Sequence, residues 1–212
     1  MSEHQPVHIV MVEDDEGHAR LIEKNIRRAG ISNGITHFLD GTSALDYLFK
    51  YQQREDGSFP QISWLDGRTV GDSIQMDEIS YPLILAYQLG KTDPATYEKN
   101  IKKSAEYLVK NGPFTKQERW EEEAGYSPST FAAEMAGLVS GAEMGRQNGD
   151  PESAKRWLET ADNWQANVEK WTVTTTGKYG DGNYYLRLSQ NRKPDSGEKL
   201  ELGHGEGTFD GL

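Results

Sequence analysis

The amino-acid sequence predicts a mainly α-helical protein built from helical hairpins, with a small β-α-β segment at the amino end and a β-hairpin near the carboxyl end. Three observations carry this prediction. Strand and helix patterns alternate only within residues 1–49, helical patterns then follow one another without a strand between them, and short alternating runs flank glycines after residue 171. We therefore divide the chain into two domains, residues 1–49 and 50–212.

Residues 1–49 contain the pattern of a strand, a helix and a second strand. Residues 7–12 form a β-branched run that ends in an acidic turn, and apolar residues at helical spacing follow within 17–28. A second strand is predicted at 35–39, followed by a helix from about Ser43. Because a helix is the usual connection between parallel strands, this order predicts the start of a parallel sheet.

Beyond Phe49 the sequence becomes helical. Asp93 and Asp150 each precede a proline, which predicts a side-chain N-cap with proline in the first helical turn. Ser127 before Pro128 predicts the same arrangement with a hydroxyl. The predicted helices span residues 43–53, 73–89, 94–110, 129–147 and 151–171.

The last predicted helix carries Trp157, Trp164 and Trp171 on one face. A wide aromatic stripe of this kind is typical of core packing, and we prefer that assignment to a ligand site. After it, residues 172–176 and 184–188 alternate around three glycines. This pattern predicts a β-hairpin.

The composition excludes several classes of partner and of chemistry. Of 212 residues, 23 are basic and 34 acidic, and the net charge of -11 repels phosphate backbones, so no nucleic-acid partner is expected. No run approaches the roughly 18 apolar residues of a membrane span, and the amino end lacks a signal-peptide pattern, which predicts a cytoplasmic protein without a membrane partner. The chain has no cysteine, and its five histidines do not fall at zinc-ligand spacing.

The amino-terminal segment resembles the start of a response-regulator receiver domain, most specifically over VEDDEGHARLIEKNIRRAG. In that family an acidic pair after the first strand, matched here by Glu13 and Asp14, helps to hold Mg²⁺, and carboxylate oxygens suit that ion. An acidic turn at a strand end is also a common solvated feature. The receiver's phosphoacceptor has no counterpart after Phe49, so the resemblance implies a fragment with at most a vestigial magnesium site.

From about Ala44 onward the chain resembles glycoside hydrolase family 15, the bacterial glucoamylases and glucodextranases. Four blocks in the family's order carry this similarity: REDGSFPQISWLDG, IQMDEISYPLILAYQL, NGPFTKQERWEEEAGYSPSTFAAEMAGL and VEKWTVTTTGKYGDGNYYLRL. The resemblance implies part of an (α/α) toroid, release of glucose with inversion from an α-glucan or oligosaccharide, and no cofactor for that reaction.

Inverting hydrolysis uses one carboxylic acid to protonate the leaving oxygen and a second carboxylate, roughly 6.5–9.5 Å away, to activate water. The resemblance places the general acid at Glu121, with Glu122 in support and Trp120 as a wall facing the sugar. An acid of this kind needs a raised pKa, which burial beside an indole and another carboxylate would supply. Without the resemblance, a run of three glutamates is more typical of a solvated face.

The resemblance also implies a sugar-binding pocket. Asp77 matches the aspartate that binds hydroxyls of the terminal glucose, and Trp64 and Gln75 would line the same pocket. Taken alone, Asp77 is typical of a carboxylate at a helix start. Trp64 and Gln75 are equally consistent with packing.

Two departures from the family affect the expected activity. Residues 70–73, VGDS, replace a tryptophan followed by glycines. The family's general base has no counterpart here, so we expect an incomplete enzyme with weak or no activity and with exposed helix faces that favour self-association. Two alternatives remain open: a signalling or interaction module, and a chimera without a selected function.

Overall fold

The computed structural model describes residues 8–63, 68–69, 73–119 and 123–197. Its first elements are β1 (Ile9–Val12), α1 (Glu16–Arg28) and β2 (Ile35–Phe38). The two strands pair in parallel, so the predicted strand, helix and strand are confirmed. The likeness of this segment to a receiver domain stays a prediction.

The second helix connects the amino-terminal segment to the main core. Helix α2 (Gly41–Tyr47) begins after Asp40, whose carboxylate accepts a hydrogen bond of 2.7 Å from the Ser43 amide, and it continues as a π-helical turn, Leu48–Gln52. Leu45 is fully buried and belongs to the same hydrophobic cluster as the later helices. The boundary predicted near residue 49 thus falls within a continuous stretch of helix.

The remaining helices match the predicted ones with two interruptions. A π-helical turn, Tyr97–Ile101, joins the short α4 to α5, and α7 ends at Gln165 before α8 resumes at Val168. The helices are α3 (Met76–Gln88), α4 (Pro94–Thr96), α5 (Lys102–Asn111), α6 (Pro128–Gln147), α7 (Pro151–Gln165) and α8 (Val168–Thr172).

Two of the three predicted helix caps are confirmed. Asp93 accepts from the Thr96 amide at 3.0 Å, and Asp150 accepts from the Ser153 amide at 3.2 Å. Ser127 lies at the predicted N-cap position of α6, with Pro128 in the first turn. Its side chain makes no cap bond to the helix amides, because its hydroxyl lies 3.0 Å from that of Ser129 and is engaged there.

The core is formed where α6 packs against α3 on one side and α7 on the other. Trp157 is fully buried and Trp164 nearly so, which confirms the core assignment of these two tryptophans. Small residues allow a close approach of α3 and α6, since a Cβ added to Gly137 would lie 3.0 Å from the Cβ of Ser80.

Helices α3 and α6 run in the same direction. Ser80 and Gly137 meet near the first half of each helix, and beyond their carboxyl ends the Asn148 amide donates to the Thr92 carbonyl at 2.9 Å. Helix α5 makes the return connection between them. As a result, the amino ends of α3 and α6, with the loops that precede them, lie at the same end of the molecule.

The carboxyl-terminal strands are shorter than predicted. Strands β3 (Val173–Thr174) and β4 (Tyr184–Tyr185) form an antiparallel pair of two residues each. Beyond Thr174 the threonines bond to Asp195, which accepts from the Thr175 amide at 2.9 Å and from the Thr176 hydroxyl at 3.1 Å. These bonds take the place of a longer strand pairing. They also lower the pKa of Asp195, and the hydrogen bond from the Thr174 hydroxyl has the largest effect.

Several apolar side chains remain exposed on the amino-terminal segment, including Val12 at 51% and Leu21 at 55%. The predicted self-association through apolar surface stays a prediction. No helix in the described ranges combines the length and the apolar character that crossing a bilayer requires.

Candidate functional site

The candidate site lies at the shared amino ends of α3 and α6. Gln75 is in an extended conformation just before α3, and Asp77 follows in the first helical turn. Both are almost completely buried, with 5% and 4% of their surface exposed. The Met76 amide between them donates to the Thr115 hydroxyl at 3.3 Å, which ties the start of α3 to the loop before α6.

This end of the molecule holds a group of buried polar atoms that have no hydrogen-bond partner in the described part of the chain. They are Gln75 Nε2, Asp77 Oδ1, Thr130 Oγ1 and both carboxyl oxygens of Glu134. Folded proteins pair nearly all of their buried polar groups, because an unpaired one costs about 1–3 kcal/mol. A concentration of such atoms at one end of two helices therefore indicates a place that a polar ligand or ordered water completes.

Glu134 is a fully buried carboxyl group one helical turn after Thr130. Burial, and then the negative charge of Asp77, raise its pKa well above the ordinary value. Burial also raises the pKa of Asp77, against the lowering effect of amides at the helix start and of the Arg119 charge. The two carboxyl groups thus disfavour being ionised together, and the more deeply buried Glu134 is favoured as the neutral one.

The loop before α6 carries the glutamate run, and backbone hydrogen bonds close it at two points. Thr115 and Gly125 exchange two backbone hydrogen bonds of 3.0 Å, and the Glu118 amide donates to the Glu123 carbonyl at 2.9 Å. Directly after Glu118, Arg119 donates to the Tyr81 hydroxyl on α3 at 3.0 Å. The described residues on both sides of 120–122 are therefore held, and Arg119 is bonded to α3.

Four predicted site residues, Trp64, Trp120, Glu121 and Glu122, lie outside the described residues, as do residues 70–72 of the altered block. Their roles stay predictions. Of the predicted set, the structure brings Asp77 and Gln75 together at the start of α3.

Two buried glutamates, Glu118 and Glu134, and the partly buried Arg187 escaped the sequence analysis. Glu118 is 1% exposed and pairs with Arg187, whose Nη2 lies 2.5 Å from Glu118 Oε1, and Glu134 lies inside the core. A carboxylate within the otherwise small and apolar TFAAEMAGL stretch was a usable signal for Glu134. No pattern near Glu118 or Arg187 indicates that they meet, because 69 residues separate them.

The vestigial magnesium site predicted at Glu13 and Asp14 stays a prediction, and the acidic turn after β1 makes local hydrogen bonds. Glu13 Oε1 accepts from the Asp15 amide at 3.1 Å, and Asp15 caps α1 through the His18 amide at 2.8 Å, which lowers the pKa of Asp15. Asp14 is exposed. Within the described ranges, no three or more His, Cys, Asp or Glu side chains are arranged to hold a metal ion.

The model of glycosyl hydrolases family 15 matches residues 49–203. The chain belongs to this family. It is 41% identical over 167 residues to a glucoamylase from Clostridium sp. (strain G0005), a match that covers 79% of this chain and 23% of the relative. It also superimposes on the crystal structure of a bacterial glucoamylase complexed with acarbose, with a TM-score of 0.76, 39% identity and coverage of 81% of this chain and 25% of that one.

The chain thus spans about a quarter of the length of these relatives, 23% of one and 25% of the other. The family match begins at Phe49 and covers both α3 and the loop with the glutamate run. The cluster of buried, unpartnered polar atoms lies within the part of the chain that the family shares.

Replacement of Glu134 by glutamine should change the pH dependence of stability. A carboxyl group whose pKa is higher in the folded than in the unfolded state binds more protons when folded, so the free energy of unfolding falls as pH rises from about 4.5, its unfolded value, towards the folded value. Glu134→Gln removes this loss. The free energy of unfolding of Glu134→Gln minus that of the unmodified protein should be more positive at pH 7 than at pH 4. Urea unfolding at the two pH values measures this difference.

The matched control is Glu159→Gln on the exposed side of α7, where the glutamate side chain is 66% exposed. The difference in free energy of unfolding between Glu159→Gln and the unmodified protein should be about the same at both pH values. An equal difference at both pH values for Glu134→Gln would show that Glu134 ionises as freely in the folded protein as in the unfolded chain.

Proposed function

We propose that this chain binds the end of an α-glucan or oligosaccharide at the amino ends of α3 and α6, as part of a glucoamylase-type glycoside hydrolase. The observation that carries this proposal is the group of buried polar atoms around Asp77 that have no hydrogen-bond partner among the described residues. A second support is the position of the loop with the glutamate run, which is tied to α3 through Met76 and Tyr81. The family match supports the reaction class.

The side chains available at the start of α3 suit a sugar hydroxyl. Asp77 Oδ1 is an acceptor and Gln75 Nε2 is a donor, and neither has a partner in the described residues. One hydroxyl group can donate to a carboxylate while it accepts from an amide, so adjacent sugar hydroxyls would satisfy both atoms. Since the cost of burying these groups is already met in the folded protein, the hydrogen bonds to a sugar would contribute to binding. We assign sugar binding to Asp77 and Gln75.

We assign the proton-donor role to Glu121, with Glu122 in support and with Trp120 and Trp64 as sugar-facing walls. Hydrolysis with inversion requires the donor to be protonated when substrate binds, and an acidic neighbourhood with restricted solvent favours that state. The hydrogen bond from the Glu118 amide to the Glu123 carbonyl and the bond from Arg119 to Tyr81 support this assignment, because they hold the described residues on either side of 120–122 and tie Arg119 to α3.

Inversion also requires a carboxylate that activates water opposite the donor. Glu134 does not suit this role. It is fully buried, and burial favours its neutral form, which cannot accept a proton from water. The expectation that this chain lacks the base, and is weakly active for that reason, stays a prediction.

Asp77→Asn should weaken sugar binding. A hydrogen bond to a charged group contributes about 1.5–3 kcal/mol, so the dissociation constant for acarbose, measured by isothermal titration calorimetry, should rise about 10- to 100-fold. Asp162→Asn, an exposed aspartate on α7, is the matched control and should bind like the unmodified protein. Unchanged affinity in Asp77→Asn, or no binding by the unmodified protein, would contradict the proposal.

Glu121→Gln should separate binding from hydrolysis. The amide has nearly the shape of the carboxylic acid but no transferable proton, so acarbose affinity should persist while release of β-glucose from maltotriose falls about 10²- to 10⁴-fold. Glu123→Gln, the third glutamate of the same run, should retain the release rate, because the bond to Glu118 uses its backbone carbonyl. Equal rates in Glu121→Gln and an unmodified protein whose release of glucose exceeds the uncatalysed rate would remove Glu121 as the proton donor.

A further inference from the structure

The segment from Tyr184 to Arg192, which we call the return segment, lies along the base of the loop that carries the glutamate run. Ser189 and Tyr126 exchange backbone hydrogen bonds of 2.8 and 3.0 Å. Next to them Leu188 packs so closely on Gly125 that an added Cβ would lie 2.9 Å from the leucine side chain. The return segment therefore fixes the backbone where the loop ends and α6 begins.

Arg192 holds the far end of the return segment. Its guanidinium lies over the rings of Tyr126 and Trp171, at 4.7 and 4.3 Å from their centroids, a geometry that gives a favourable cation–π interaction. The Arg192 backbone has φ of 63°, in the left-handed region that ordinary residues rarely adopt. The aromatic contacts thus hold the segment in place despite local backbone strain.

An ion pair between Arg187 and Glu118 links the return segment to the interior of the loop. Glu118 is 1% exposed and Arg187 is 18% exposed by side chain, so water screens the pair weakly. The backbone amide of the same glutamate donates to the Glu123 carbonyl. Glu118 therefore binds Arg187 through its side chain and closes the loop through its backbone amide.

We propose that Arg187 is a positioning residue, which through Glu118 sets the points where the chain enters and leaves residues 119–122. This inference deepens the proposed function, and its relevance to catalysis rests on the assignment of the proton donor to that stretch. Arg187 itself is not assigned any contact with sugar. Its role is to hold the base of the loop in one orientation relative to α3.

The test compares two double variants by hydrogen exchange and mass spectrometry. Glu118→Gln with Arg187→Met removes both charges together, so that no buried charge is left unpaired. Glu16→Gln with Arg20→Met is the matched control, since it removes an exposed ion pair between the same residue types on α1. Peptides that cover residues 113–127 report on the loop, and peptides that cover 151–165 report on α7.

In the Glu118/Arg187 double variant we expect the loop amides to exchange about tenfold faster or more, with exchange in α7 and the melting temperature unchanged. Arg187→Lys should give an intermediate rate, because it keeps the charge but not the planar donor fork. Loop exchange equal to that of the control variant would overturn the proposal. An equal increase in the loop and in α7 would also overturn it, because it would show a general stabilising role.

Acarbose titration of the same proteins separates this inference from the proposed function. Weaker binding in the Glu118/Arg187 double variant, with normal binding in the Glu16/Arg20 variant, is the expected result. If the unmodified chain does not bind acarbose, the proposed function fails, while the exchange rates still decide whether Arg187 positions the loop.

Discussion

The close parallel packing of α3 against α6 is the contact on which the candidate site depends. Ser80 and Gly137 are small enough to let the two helix backbones approach, and larger side chains at this crossing would separate them. Because both helices run in one direction, their amino ends and preceding loops meet. The exposed amides of helix amino ends favour negative charge, which suits a carboxylate such as Asp77 in the first turn.

The site departs from the rules that make the rest of the helical core stable. Around Trp157 and Leu138 the interior is apolar and closely packed, whereas Asp77 and Glu134 are buried and carry oxygens without hydrogen-bond partners in the described residues. Such groups destabilise a folded protein, and they are retained most often where function requires them. The contrast within one core separates the structural part of the chain from the part proposed to bind sugar.

Much of the fold followed from local sequence signals. Aspartate–proline pairs mark the starts of α4 and α7 because the capping geometry depends on neighbouring residues alone. Ser127 marks the start of α6 in the same way but makes no capping bond, because its hydroxyl is bonded to that of Ser129. The sequence predicted the β3–β4 hairpin but not its short length. Asp195, which is distant in sequence, binds the threonines that would have extended the strands.

The candidate site was predictable only in part. The resemblance to the family predicts a site at Asp77 and the glutamate run, whereas periodicity alone makes Asp77 an ordinary residue at a helix start. Its burial depends on α6 and on the loop around Thr115, which are distant in the sequence. The same is true of the ion pair between Glu118 and Arg187. Burial and pairing of charges depend on tertiary contacts, so they could be recognised only in the structure.

The register of α3 on α6 can be measured directly because the chain contains no cysteine. Ser80→Cys with Gly137→Cys would place two Cβ atoms about as close as a disulfide requires, after a shift of a few tenths of an ångström from 3.0 Å. We expect an intramolecular disulfide in the folded, oxidised monomer, with no thiol left to react with a labelling reagent after unfolding. Two free thiols in the folded, oxidised monomer would contradict the close contact of α3 and α6 at Ser80 and Gly137 on which the site depends.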